Sequence, residues 1–325
     1  MNLTEVRKEF DRNIEKYNSL GQNVAESLRI LLQSANLKTL SIYYRIKDLD
    51  SFLEKIERKS YQKPFEETED ICGIRIICYY QKDISKIEEI LTKEFETIDS
   101  FKKENDLDYN EFGYRSHHLI ASIKKEWEST PNFRGLSKLK FELQIRTVLM
   151  HAWAEIEHNL SYKNKAQTPR HFRRKLGVIS AVLEDADQKF DELKKESEKY
   201  QKQLLKDAKN NRLVNENKTE LNMDSLQVFM DFNFPKRSKH NGATGRLLNK
   251  MVENNISLID LKNAWDKIKP HFKEMERDFF GNSTQRWLQA GIAEFILELT
   301  SERHLGLHSG ITQMKTEQLM KKYFA

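Results

Sequence analysis

The stretch ICGIRIICYY, residues 71–80, is apolar and β-branched, and Arg75 is its single charge. Strands that are buried on both faces have this nearly continuous apolar character, so the stretch predicts a central strand of a sheet. The apolar neighbours of Arg75 predict that its guanidinium is at least partly buried. Because a buried charge is unfavourable without a partner, we expect a carboxylate or another polar group beside it.

The segments around this strand predict helices interleaved with strands. Apolar residues at three- and four-residue steps over 3–31 indicate an amphipathic helix, and strict alternation over 40–47 indicates a half-buried strand. The remaining patterns predict a short basic helix near 52–59, helices over 83–95, 147–162 and 170–206, and strands near 115–123 and 138–146. This order predicts an α/β domain with a mixed sheet, followed by a long charged helix.

The length of 325 residues is typical of about two domains, on a prior of ~150 residues each. We assign residues 1–209 to the first domain and the polar segment 210–222 to a linker. Residues 223–325 form the second, mostly helical domain, in which the patterns indicate helices over 256–272 and 284–299.

Composition argues against a membrane protein and against a secreted one. Charged residues make up 32% of the chain, and no run reaches the ~18 apolar residues of a spanning helix. The two cysteines, Cys72 and Cys78, lie in one apolar run, which favours a reduced, cytoplasmic chain. The first ten residues lack the apolar stretch of a signal peptide. A net charge of +5 mildly favours phosphate-bearing partners.

The segment FELQIRT, residues 141–147, is the first candidate for a functional surface. Side chains alternate across a strand, so Glu142, Gln144 and Arg146 share one face while Leu143 and Ile145 point to the other. An acid, an amide and a guanidinium on one face are typical of a site wall. An ordinary solvated face is the alternative that this stretch leaves open.

Asp70 stands at the entry of the central strand, where a carboxylate can bind a divalent cation together with substrate phosphates. A turn or a solvated acid within the acidic cluster 66–70 is the alternative. Tyr114 follows Gly113, so its ring could stand away from the backbone and stack on a base, although a lone aromatic residue near a turn more often serves packing. The cations that would suit a polyphosphate, or lie singly on the surface, are Arg45, Lys47, Lys55, Arg58 and Lys59.

Glu155 and His158, with His151 one turn earlier, lie on one face of the helix predicted over 147–162. Carboxylate-bridged di-iron sites use a Glu-x-x-His motif on two helices, and the sequence has no second copy. We therefore interpret these side chains as hydrogen-bonding partners that orient site residues on the neighbouring strand.

Taken together, the motifs resemble the synthetase domain of the RelA/SpoT family, the alarmone synthetases. The resemblance runs from about residue 39 to residue 163 and depends on six motifs in order. They are YRIK at 44–47, EKIERK at 54–59, DICGIRI at 70–76, GYRSxH at 113–118, ELQIRT at 142–147 and WAEIEH at 153–158. One motif alone would be weak support, whereas all six at compatible spacing are specific.

This resemblance implies a nucleotidyltransferase-like mixed sheet and transfer of the β,γ-pyrophosphate of ATP to a 3′-hydroxyl of GDP or GTP. It also implies a role for each matching residue. Arg45 and Arg75 would sandwich the adenine, Lys47, Lys55 and Arg58 would hold the triphosphate, and Asp70 and Glu142 would bind Mg²⁺, with Glu142 activating the attacking hydroxyl. Tyr114 would stack on the acceptor base, with Ser116, His118 and Gln144 nearby. Such transfers depend mostly on positioning and charge neutralisation, which a metal and clustered cations provide.

Three departures from the family pattern qualify these expectations. Asn110 stands where many guanosine-nucleotide synthetases have a lysine, which leaves the acceptor's phosphate contacts open. No histidine is followed by aspartate, so we expect no hydrolase activity of the kind found in the bifunctional members. The segment after Asn210 matches no known regulatory domain of the family.

Two other functions stay open at this point. Toxic relatives pyrophosphorylate the 3′ end of tRNA, and Asn110 together with the basic stretch 163–175 would suit an RNA acceptor. A non-catalytic nucleotide or RNA sensor is the other alternative, although a pure binder has no need for both Asp70 and Glu142. The long helix from Arg170 could pair with a second copy of the chain, giving a homo-oligomer.

Overall fold

This computed structural model describes residues 3–102, 116–160, 169–210, 219–281, 284–302 and 304–324. The described chain divides into two compact units, residues 1–194 and residues 195–325. In the first unit the elements are α1 (Leu3–Ser34), β1 (Thr39–Ile46), α2 (Leu49–Lys59), α3 (Pro64–Glu67), β2 (Cys72–Cys78), α4 (Gln81–Glu94), β3 (Phe95–Lys102), β4 (His117–Ile123), α5 (Lys125–Glu128), β5 (Phe141–Thr147) and α6 (Val148–Leu160), and α7 (Arg170–Lys209) begins there.

The five strands form one mixed sheet in the order β1-β2-β5-β4-β3, which confirms the predicted fold class. The central strands β2 and β5 run parallel, and the other neighbouring pairs run antiparallel. Helices α1 and α4 cover one face of the sheet with apolar side chains at helical spacing, such as Leu20, Val24 and Leu28 from α1 and Ile87 and Leu91 from α4. The other face of β2 and β5 is left to polar side chains, so the site lies there.

Strand β3 was not predicted: the sequence indicated a helix up to Phe95 and no element over 96–102. The strand lies at the edge of the sheet, its pairing with β4 shifts register between Thr97 and Asp99, and Ile98 is exposed. An irregular edge strand lacks the strict alternation that reveals a strand in sequence.

Helix α1 is continuous through Gly21, although a glycine weakens the interior of a helix. The glycine lets the helix approach β1, because a Cβ at this position would overlap the ring of Tyr44. The residue is therefore required by packing between the helix and the strand, a contact that the local sequence does not reveal.

The second unit is helical, as predicted, and has its own apolar core. Its helices are α8 (Met223–Asn233), α9 (Asn241–Glu253), α10 (Leu258–Ile268), α11 (Phe272–Phe280), α12 (Gln289–Thr300) and α13 (Gln313–Phe324). The sequence predicted one helix over 256–272, whereas α10 ends at Ile268 and α11 begins at Phe272; the helix predicted from 284 begins at Gln289. Helices α8, α9 and α13 were not singled out.

The division between the units lies inside α7, whereas the sequence ended the first domain at residue 209. The reason is that Leu204 and Ala208, near the end of α7, are buried in the core of the second unit. The linker assigned to 210–222 stays a prediction, because residues 211–218 lie outside the described residues. Across the described parts of the chain, no helix combines the length and the apolar character that crossing a membrane requires.

We predict that Gly21→Ala destabilises the protein by about 1–2 kcal/mol. Overpacking against a fixed ring costs ~1–3 kcal/mol, which exceeds the ~1 kcal/mol that alanine contributes to a helix interior. Gly245→Ala in α9 is the matched control, because a Cβ there meets nothing within 4 Å and should stabilise the protein slightly. Thermal unfolding followed by circular dichroism measures both, and a Gly21→Ala protein as stable as the unsubstituted one would contradict the packing argument.

Candidate active site

Two rows of facing residues run across the polar side of the sheet. In the first, Gly73 of β2 lies between Arg45 of β1 and Glu142 of β5. In the second, Arg75 lies between Tyr43 and Gln144, and Gln144 also faces His118 of β4. Facing residues on neighbouring strands lie close enough for their side chains to meet, and Arg75 is hydrogen-bonded to both Tyr43 and Gln144. The predicted face with Glu142, Gln144 and Arg146 is confirmed by direct hydrogen bonds among them.

Asp70, just before β2, is held between two lysines. Lys55 Nζ of α2 lies 2.8 Å from Asp70 Oδ1, and Lys47 Nζ lies 3.1 Å from Oδ2. Burial opposes ionisation of this carboxyl, but the hydrogen bond from Lys55 and the two ammonium charges hold its pKa below the usual value. Asp70 is therefore an anion at neutral pH, and the two lysines converge on one point.

Glu142 is also kept ionised by hydrogen bonds. His118 Nδ1 lies 2.6 Å from Glu142 Oε1, and the amide of Gln144 donates to Oε2 at 2.7 Å. Burial alone would raise the pKa of Glu142, yet these contacts, with that of His118 the largest, lower it. The negative charge of Asp70 raises the pKa of Glu142, so the two carboxylates are close enough to interact electrostatically.

Arg75 has the partners that its burial requires. Its Nη1 donates to Glu155 Oε1 at 2.8 Å and to the Tyr43 hydroxyl at 3.2 Å, while Nε donates to Gln144 Oε1 at 3.2 Å. Burial would lower the pKa of Arg75, but Tyr43 and Glu155 raise it. The predicted role of the α6 side chains in orienting strand residues is thereby confirmed for Glu155. The sequence did not indicate Tyr43 as a site residue, although Tyr43 shares one face of β1 with Arg45.

Arg146 is the second guanidinium on this face. Its Nη2 donates to Gln144 Oε1 at 3.0 Å, the same oxygen that accepts from Arg75. Burial and the nearby charge of Arg75 lower the pKa of Arg146. Gln144 thus links both guanidinium groups to Glu142. The family resemblance implied a place for Gln144 near the acceptor, and in this structure its amide connects neighbouring side chains.

The remaining candidates occupy different environments. Arg45 is largely exposed and lies 3.9 Å from Asp48, and Arg58 is exposed on α2. Ser116 is buried, and its Oγ lies 2.5 Å from His118 Nε2. Tyr114, together with Gly113 and Asn110, lies outside the described residues.

The carboxylates suit a metal that takes few protein ligands. Among the residues that the structure describes, no group of three or more His, Cys, Asp or Glu side chains could hold a metal ion. Mg²⁺ commonly uses one or two carboxylates and completes its shell with water and phosphates. Gly73 fits this arrangement, since it leaves room between Arg45 and Glu142. Packing does not require a glycine there, because an added Cβ would meet only Arg45 O, at 3.8 Å.

Comparisons of the sequence point to one family. The family model described as "Region found in RelA / SpoT proteins" matches residues 44–167. The GTP pyrophosphokinase YjbM of Bacillus subtilis is 33% identical over 160 residues, which are 48% of this chain and 72% of that protein. The GTP pyrophosphokinase YwaC of the same organism is 31% identical over 160 residues, 47% of this chain and 72% of that protein.

Comparison of the structure gives the same answer. The crystal structure of the small alarmone synthetase 1 from Bacillus subtilis matches 59% of this chain and 98% of its own, with a TM-score of 0.50 and 28% identity. The match therefore includes nearly all of that protein, whereas a large part of this chain lies outside it. The mixed sheet and its flanking helices are the shared part.

We predict that Lys55→Gln raises the pKa of Asp70. The substitution removes the hydrogen bond and one of the two positive charges that oppose the effect of burial. Lys59→Gln is the matched control, because Lys59 is exposed at the end of the same helix and no contact joins it to Asp70. Carbon-detected NMR titration of the carboxyl group measures both, and an unchanged Asp70 pKa in Lys55→Gln would show that the lysine does not hold the anion.

Proposed function

The chain belongs to the RelA/SpoT family of (p)ppGpp synthetases, and on that premise we propose that it moves the β,γ-pyrophosphate of ATP to the 3′-hydroxyl of GDP or GTP. It is a transferase of the pyrophosphokinase type. The observation that carries the proposal is the pair of ionised carboxylates, Asp70 and Glu142, beside converging lysines and a guanidinium on one face of the sheet.

On the donor side, Lys47, Lys55 and Arg58 hold the triphosphate. The two lysine ammonium groups already converge on Asp70, so a polyphosphate at this point would find positive charge in place. Arg45 and Arg75 take the adenine, since planar guanidinium groups stack on bases. Arg75 suits this role because three partners fix the plane of its guanidinium before the nucleotide arrives.

The cofactor in this proposal is Mg²⁺, held by Asp70 and Glu142. Bound there, the ion would neutralise phosphate charge during the transfer. The lowered pKa values of both carboxyl groups support this assignment, because ionised oxygens are the ligands that Mg²⁺ prefers. The space at Gly73 supports it further, since a larger side chain would project between Glu142 and Arg45.

Glu142 is the group that accepts the proton of the attacking hydroxyl. The 3′-oxygen of the acceptor bonds to the β-phosphorus of ATP, the bond between that phosphorus and the α,β-bridging oxygen breaks, and AMP leaves. The hydroxyl proton passes to a carboxylate oxygen of Glu142, which is ionised at neutral pH and therefore able to take it. Tyr114 completes the acceptor site by stacking on the guanine, as the family resemblance implies.

A cytoplasmic location belongs to the same proposal. Cys72 and Cys78 are both buried and unpaired, which suits a reducing compartment. The proposed substrates, ATP and GDP or GTP, are found in the cytoplasm.

The acceptor is tested by incubating the full chain with ATP labelled at the γ-phosphate, Mg²⁺ and one of GDP, GTP or bulk tRNA. We expect label on GDP or GTP. Label on tRNA alone would overturn the proposed acceptor in favour of the toxin-type reaction, to which the exposed Arg174 and Lys175 on α7 would contribute phosphate contacts. No label on any acceptor would overturn the proposed transfer.

We predict that Glu142→Gln abolishes transfer while ATP binding stays largely in place. The amide keeps the size of the side chain but cannot take a proton and is a poor ligand for Mg²⁺. Single-turnover transfer and equilibrium ATP binding, measured on the same preparation, separate the two effects. An active Glu142→Gln enzyme would refute the role assigned to the carboxylate.

We predict that Glu155→Gln raises the KM for ATP several-fold and changes kcat less. The substitution removes the charged partner of Arg75, whose guanidinium then loses part of its fixed orientation. Glu157→Gln on the same helix is the matched control, because Glu157 is exposed and no contact joins it to Arg75. Equal KM values in the two variants would count against the orienting role of Glu155.

A further inference from the structure

His118 is enclosed on the polar face of the sheet and has both ring nitrogens in short hydrogen bonds. Its side chain is 1% exposed, Nδ1 lies 2.6 Å from Glu142 Oε1, and Nε2 lies 2.5 Å from Ser116 Oγ. Ser116 is itself buried, at 8% exposed. A series of hydrogen bonds therefore runs from Ser116, just before β4, through His118 to Glu142 on β5.

The ionised state of Glu142 decides the direction of its hydrogen bond with His118. An ionised carboxylate can only accept, so His118 Nδ1 carries a proton and donates it to Glu142. The hydroxyl of Ser116 can donate to Nε2 or accept from it, so Ser116 holds the ring in place in either case.

The other carboxylate oxygen is held as well. The amide of Gln144 donates to Glu142 Oε2 at 2.7 Å, and the oxygen of that amide accepts from Arg75 and Arg146. The amide can therefore not reverse its orientation without placing its NH₂ group against two guanidinium groups. Each oxygen of Glu142 is thus fixed by one donor whose own orientation is fixed by a further partner.

We propose that His118 is a positioning residue, which acts with Ser116 to hold the Glu142 carboxylate in its reactive orientation. The proposal rests on the proposed function, since Glu142 is the proton acceptor of that reaction. It gives His118 and Ser116 a role beyond the acceptor contacts that the family resemblance implied. Burial supports it, because the His118 side chain is 1% exposed and both of its ring nitrogens already contact protein side chains.

Three substitutions of His118 distinguish positioning from acceptor binding. The amide nitrogen of Asn stands near the place of Nδ1, that of Gln near the place of Nε2, and Phe has no donor. We expect His118→Phe to lower kcat roughly 10–100-fold and to change both KM values by less than about threefold. A loss of roughly 10–100-fold is typical when the hydrogen-bonding partner of a metal ligand is removed. We expect Asn to restore most of kcat and Gln to restore little.

His117→Phe is the matched control, since His117 is the neighbouring residue on β4 and its side chain points to the other face of the sheet, near Glu88. We expect its kcat to equal that of the unsubstituted enzyme. Thermal melts identify variants that fail to fold, and the Asn and Gln pair, which are close in size, keeps the test decisive if His118→Phe does not fold.

The proton on Nδ1 supplies a readout that needs no substrate. Nitrogen-15 NMR of the imidazole should show a protonated Nδ1 for His118 in the unsubstituted protein. A raised acceptor KM with unchanged kcat in His118→Phe, equal kcat in Asn and Gln, or an unprotonated Nδ1 would each overturn the proposal. If the unsubstituted protein transfers label to no acceptor, the proposed function fails, while the NMR result still decides whether His118 donates to Glu142.

Discussion

The parallel pairing of β2 with β5 is the constraint on which the site depends. It sets Gly73 beside Glu142 and Arg75 beside Gln144, so residues about 70 positions apart in sequence meet at contact distance. The same pairing leaves the opposite side chains of both strands to the apolar core under α1 and α4. If either strand shifted by one residue, its two faces would be exchanged. Arg75 of β2 or Glu142 of β5 would then lie in that core, which the cost of burying unpaired charge forbids.

Electrostatic balance explains how so many charges share a half-buried surface. Each carboxylate has donors that outweigh the effect of burial, Lys47 and Lys55 for Asp70 and His118 with Gln144 for Glu142. The two guanidinium groups, which repel each other, are joined through one amide oxygen of Gln144, and Glu155 adds a negative charge beside Arg75. A transfer that depends on charge neutralisation therefore has charged groups with fixed positions before substrate arrives.

The sequence predicted the larger features because each has a local signature. The central strand, the amphipathic α1 and the polar face of β5 all follow from periodicity, which reflects the geometry of one element and its burial. Strand β3 and the role of Gly21 were beyond such reasoning. The strand is irregular and lies at the edge of the sheet, and the glycine is needed because the ring of Tyr44, on another element, packs against it. The end of the first unit was placed too late for the same reason, since only packing shows that Leu204 belongs to the second core.

By itself, the sequence determined the residue types of the site, the strands and helices that carry most of them, and a family resemblance that named Asp70 and Glu142 as the metal-binding pair. Only the tertiary structure decided the partners: Lys47 and Lys55 on Asp70, His118 on Glu142, and Glu155 on Arg75. The physical reason is that periodicity tells which face a side chain occupies, whereas a hydrogen bond needs two atoms within about 3 Å. That proximity follows from strand order, register and helix packing, and these are properties of the whole folded unit.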